Sequence, residues 1–121
     1  MLIAAFLVLA FAVALGTTLA VFHLRSTVMP AAPWPLAALH GVIGVSGVGC
    51  LLLSLRGAPR GVDQGVASFG AVSAALLIMA ALAGIAVMLT HWRNRRAGAL
   101  IGLHATLAVG AFVVLAAYLW A

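Results

Sequence analysis

Apolar residues fall in four long runs, and polar residues collect in the breaks between them. The runs cover residues 2–24, 36–55, 66–90 and 99–120. Each approaches the roughly 20 residues needed to cross a bilayer core as a helix. The first break, RSTVMPAAPWP, holds Pro30, Pro33 and Pro35, which together forbid a continuous helix. Pro35 is well placed to start the second run, since proline suits a first turn. The second break, RGAPRGVDQG, is polar and glycine-rich with Pro59, and the third, HWRNRRAG, is a short basic turn. The outer faces carry no obvious polar seam. The pattern predicts an all-α, integral membrane four-helix bundle forming a single transmembrane domain over residues 1–121. Short connections make consecutive helices antiparallel, which gives an up-down-up-down order. The side with the N-terminus and loop 56–65 is called side A, the other side B.

Composition excludes a water-exposed surface. Two thirds of the chain is apolar, 6% is charged, and the mean hydropathy is +1.33, against about 25% charged residues in a soluble domain. The first run lacks a basic flank and is longer than a signal-peptide core, so it reads as a retained helix. The formal charge is +5, but the arginines sit only at run ends. Their expected partners are lipid phosphates or a bound anionic group, not nucleic acid. Side B carries Arg25, Arg93, Arg95 and Arg96, side A only Arg56 and Arg60. The positive-inside rule then puts side B in the cytoplasm and both termini in the periplasm of a bacterial inner membrane. Trp34, Trp92, Tyr118 and Trp120 fall near run ends, as an aromatic belt requires. Cys50 is the single cysteine and forms no internal disulfide.

All four histidines are placed in the side-B leaflet. His23 and His91 end the first and third runs, while His40 and His104 lie just inside the second and fourth. The chain also repeats itself. Gly16, His23 and Arg25 recur at the same spacing as Gly84, His91 and Arg93, and Leu39-His40-Gly41 recurs as Leu103-His104-Ala105. This predicts a duplicated two-helix hairpin, with a pseudo-two-fold axis along the membrane normal.

An ionisable residue inside a span is a functional hypothesis by default. Neutral imidazole is the least expensive of these and a common metal and haem-iron ligand. The plainer role is a hydrogen bond to a neighbouring helix, and a single histidine favours it. At the helix ends, His23 and His91 also suit a position among headgroups or a helix C-terminal cap. His40 and His104 differ in what lies beneath them. Gly44 and Gly47 share the His40 face, and Ala108 and Ala111 share that of His104. Small residues there mean that something approaches closely, either a second helix or a flat macrocycle. In a bundle with sequential neighbours, the second and fourth helices are diagonal. His40 and His104 then oppose each other across the bundle axis.

On these residues the chain resembles the small bis-histidine b-type cytochromes of membranes, including four-helix cytochrome b subunits of redox complexes. The resemblance covers the whole chain as architecture. It implies haem b held by His40 and His104, and electron transfer, often with quinone. It also implies that Arg25 and Arg93 pair with haem propionates, with His23 and His91 nearby. Typical di-haem members place one haem near each membrane face. Side A has no histidine, so one haem on side B is expected, and two only if His23 and His91 are ligands as well. Ser46 and Thr106 are candidate groups behind the ligands, or they bond their own helices. Met79 and Met88 are soft-ligand candidates, although methionine at such spacing is more often core.

Three other classes stay open. The chain fits a non-catalytic accessory bundle in a larger complex, or a homodimer. It fits a copper, zinc or pigment-binding bundle. It fits a small transporter by size, but with no acid in any span, proton-coupled cation export is disfavoured. Catalysis by the chain alone is not expected: there is no carboxylate pair, nucleophile–base set or phosphate loop.

Overall fold

A computed structural model describes residues 1–25, 34–93 and 97–121. Four helices account for most of them: α1 (Leu2–Leu24), α2 (Trp34–Ser54), α3 (Phe69–Trp92) and α4 (Gly98–Trp120). All four are long and apolar enough to cross a membrane, at 23, 21, 24 and 23 residues. The chain is therefore a helical integral membrane protein. The prolines at 30 and 33 and the arginines at 95 and 96 lie outside the described residues.

The helix limits differ from the hydropathy runs where local hydrogen bonding overrides apolarity. Val66 is apolar but belongs to a turn, where its N–H bonds the Gly61 carbonyl at 2.9 Å. That turn needs Gly61 and Gly65 at φ 65° and 72°, a left-handed region that glycine enters without a Cβ penalty. At the other end, α3 runs through His91 and Trp92, because neither residue breaks a helix. Its C-cap is Arg93. Pro35 sits in the first turn of α2, where its missing N–H costs nothing.

Packing is strongest between α1 and α2 and between α3 and α4. Lesser contacts join α1 to α4 and α2 to α3. Each helix thus touches two others, and α2 and α4 stand diagonally. Phe6 of α1, Leu51 of α2, Leu77 of α3 and Leu115 of α4 belong to one packed region. There Phe6 stacks on Phe112 at 4.7 Å and meets Trp120 edge-on at 5.2 Å. The packed core belongs to this part of the bundle: Ala5, Leu9, Leu51, Ala74, Leu77, Ala111, Leu115 and Tyr118. Ser73 is fully buried in the same region and donates to the Ala111 carbonyl at 2.9 Å. Tyr118 departs from the expected aromatic belt. It is buried, and its hydroxyl accepts from the Arg60 backbone N–H at 3.4 Å. The three tryptophans are exposed at helix ends.

Candidate functional site: a paired-histidine centre

Past this core the buried side chains become small, with Ala12, Ala80 and Ala83. Two imidazoles occupy the space they leave. His40 on α2 and His104 on α4 reach across the diagonal, so that their ring centroids stand 5.8 Å apart with planes at 84°. Both side chains are half-buried. Each ring is held by the helix packed most closely on its own. His40 Nδ1 bonds the Ala12 carbonyl of α1 at 2.9 Å, and His104 Nδ1 bonds the Ala80 carbonyl of α3 at 2.7 Å. A carbonyl oxygen only accepts, so each Nδ1 must carry the proton. In the neutral ring this leaves Nε2 with a bare lone pair. Neither Nε2 atom has a hydrogen-bond partner among the described residues.

A neutral imidazole with Nδ1 protonated and Nε2 bare has the tautomer of a metal ligand bound through Nε2. An imidazole ligand commonly donates its second ring N–H to a backbone carbonyl, which fixes the tautomer and raises ligand basicity. With metal–nitrogen bonds of about 2.0–2.1 Å and a ring radius of about 1.2 Å, two rings that aim Nε2 at one metal from opposite sides have centroids about 6.5 Å apart. The observed spacing of 5.8 Å is shorter than that by somewhat under about 1 Å. Among the described residues, no three His, Cys, Asp or Glu side chains gather around a single ion. A site that supplies four or more protein ligands is therefore not assembled there.

The small residues beneath the histidines divide into two kinds. A Cβ on Gly44 would meet no atom within 4 Å, and Ala108 is half-buried, so both remain compatible with a ring edge. Gly47 and Ala111 are not part of that space. A Cβ on Gly47 would lie 2.7 Å from Leu9 Cδ2 and 3.3 Å from Val8 Cγ1, so α1 already fills the position. Ala111 is fully buried in the leucine core. At Gly47 the close approach is a helix, because Leu9 of α1 reaches there first, and at Ala111 it is α3, whose Ser73 hydroxyl bonds the Ala111 carbonyl.

The helix-end residues lie farther out. His23, Arg25, His91 and Arg93 are all exposed. His23 and His91 are seven residues beyond Gly16 and Gly84, roughly 10 Å along the helix axis. Ser46 and Thr106 do not support the ligands: their hydroxyls bond the Val42 and Gly102 carbonyls of their own helices, at 2.8 and 2.9 Å. Met79 and Met88 are 54% and 52% exposed and lie outside the core. Cys50 is a free, half-buried thiol.

Sequence reasoning missed the partners of the two rings. Gly16 and Gly84 entered as elements of the repeat, yet they are the residues against which the imidazoles lie. Their Cβ positions are 2.9 Å from His40 Cε1 and 3.1 Å from His104 Cε1. Their recurrence at equal spacing from His23 and His91 was the available signal. Ala12 and Ala80 carried none, because they act through the backbone. Comparison with protein-family models, curated proteins and solved structures finds no match.

Proposed function

We propose that the chain is a membrane electron-transfer protein, a cytochrome b-like subunit that holds one haem b between His40 and His104. One observation carries this reading: two imidazoles from diagonal helices, each with its Nδ1 proton committed to a backbone carbonyl, meet 5.8 Å apart. The Nε2 atoms of His40 and His104 would hold the group, and Gly44 and Ala108 would border its edge. Haem supplies a one-electron carrier when bound. The protein supplies burial, the two ligands and their fixed tautomers. Arg25 and Arg93, at the ends of α1 and α3, are the candidates for pairing with carboxylates of the group at the membrane surface. Electrons would be exchanged with a membrane quinone or with other redox subunits, and a homodimer is the alternative assembly.

An up-down-up-down order and an internal duplication belong to the same proposal. Residues pair in opposite senses along both hairpins. Leu9 lies on Gly47 and Ala12 on His40, while Gly70 lies on Tyr118, Ser73 on Ala111 and Ala80 on His104. Burial repeats with the sequence. Ala5, Leu9 and Ala12 match Ser73, Leu77 and Ala80, and Gly47 and Leu51 match Ala111 and Leu115. Bacterial inner-membrane residence, with the histidine side in the cytoplasm, rests on the arginine distribution.

The test is the colour of the protein purified from membranes of a haem-competent host. The expected result is a Soret band that sharpens and shifts on dithionite reduction, with one haem per chain by pyridine haemochrome. His40→Ala and His104→Ala should each abolish the six-coordinate spectrum. A colourless wild type, or a six-coordinate spectrum that survives both substitutions, overturns the reading. A colourless protein supports a second reading, in which each histidine only ties its hairpin together within an accessory bundle. The hydrogen bonds to Ala12 and Ala80 would serve that role unchanged.

A further inference from the structure

Each imidazole meets its neighbouring helix at two points one turn apart. The carbonyl of Ala12 takes the Nδ1 proton of His40, and Gly16, four residues on, lies beside the ring. Ala80 and Gly84 do the same for His104. A helix has its side chains on the outside, so a flat ring can lie against helical backbone only where a Cβ is missing. We infer that Gly16 and Gly84 are positioning residues. On this inference α1 and α3, which supply no ligand, set the rotamer and tautomer of the two ligands supplied by α2 and α4.

The proposal rests on the paired-histidine reading for its purpose but not for its geometry. If Nδ1 is held by the carbonyl and the ring face is held by the glycine, both torsions of the histidine side chain are determined. The Nε2 lone pair then has one direction. A methyl group at position 16 would stand 2.9 Å from Cε1, 3.5 Å from Nδ1 and 3.6 Å from Nε2 of His40. The ring and α1 must move apart, and the bond from Nδ1 to the Ala12 carbonyl, which joins the same two elements, is expected to lengthen. At position 84 the nearest distances are 3.1 Å to Cε1 and 3.2 Å to Nδ1 of His104. There a displacement of a few tenths of an ångström relieves the contact. The two halves should therefore respond unequally, with His40 the more disturbed. Gly49, also in α2, has no atom within 4 Å of its Cβ position and serves as the control.

The experiment is nitrogen-15 NMR of histidine-labelled full-length protein in nanodiscs, reduced with dithionite. A low-spin ferrous centre is then diamagnetic, as is a protein without haem. Resonances are assigned with His40→Gln and His104→Gln. The wild type should show two rings protonated at Nδ1, both hydrogen-bonded and slow to exchange. Gly16→Ala should lose the His40 Nδ1–H resonance. Gly84→Ala should shift that of His104 without losing it, and Gly49→Ala should leave both in place. Unchanged Nδ1–H resonances in Gly16→Ala overturn the inference. If Gly16→Ala does not accumulate, an unshifted His104 resonance in Gly84→Ala overturns it equally. A haem-free protein that shows this same glycine-dependent pattern supports the positioning role while refuting the cytochrome reading.

Discussion

Gly44 and Gly47 stand one turn apart on α2 and look equivalent in the sequence, yet the structure predicts opposite responses to the same substitution. Alanine in place of a helix-interior glycine gains up to about 1 kcal/mol from reduced backbone freedom. In the haem-free protein nothing at Gly44 opposes that gain, because the new methyl group meets no protein atom within 4 Å, and the comparison is made in that form. At Gly47 the methyl group would stand 2.7 Å from Leu9 Cδ2 and 2.8 Å from Leu9 Cγ. Leu9 is 2% exposed and locked in the core, so it cannot turn aside. Overpacking of this kind costs about 1–3 kcal/mol. The backbone terms cancel between the two variants, leaving Gly47→Ala less stable than Gly44→Ala by about 1–3 kcal/mol. Reversible SDS titration in mixed micelles, followed by circular dichroism, measures the difference. Equal stabilities would refute the assignment of Gly47 to a helix seam. So would a Gly47→Ala protein that keeps its stability but loses a bound chromophore.

Other outcomes follow from the same packing. Leu51→Ala and Leu115→Ala occupy matching, fully buried positions in the two hairpins. Each should destabilise by about 1–3 kcal/mol in the same titration, below the range for soluble cores because lipid offers no hydrophobic driving force. Ser73→Ala removes the bond to the Ala111 carbonyl and should cost about 0.6 kcal/mol, at most about 1.7. Its match in α1 is already Ala5, so no new strain accompanies the loss. Trp34, Trp92 and Trp120 are exposed at helix ends. Lipids brominated near the headgroup should quench their fluorescence more than lipids brominated at mid-chain, and the reverse would contradict the spanning arrangement.

Chain order alone determined the number of helices and their approximate limits. These are local properties: a bilayer-length apolar run and a proline-rich break are read without knowing any neighbour. The direction each helix faces was not available in that way. The four segments are apolar almost all round, with negligible amphipathic bias, and a helix without a polar stripe does not announce its buried side. Only tertiary packing separated Gly44, with open space beside it, from Gly47 under Leu9, and moved Tyr118 from the expected belt into the core. Only packing brought Gly16 and Gly84 against the imidazoles and the carbonyls of Ala12 and Ala80 onto Nδ1. Those contacts join residues on different helices, and two of the four partners act through backbone atoms that every residue type shares. Side-chain identity could not reveal Ala12 and Ala80, because a bond to a backbone carbonyl does not depend on it, and Gly16 and Gly84 showed only as recurring glycines.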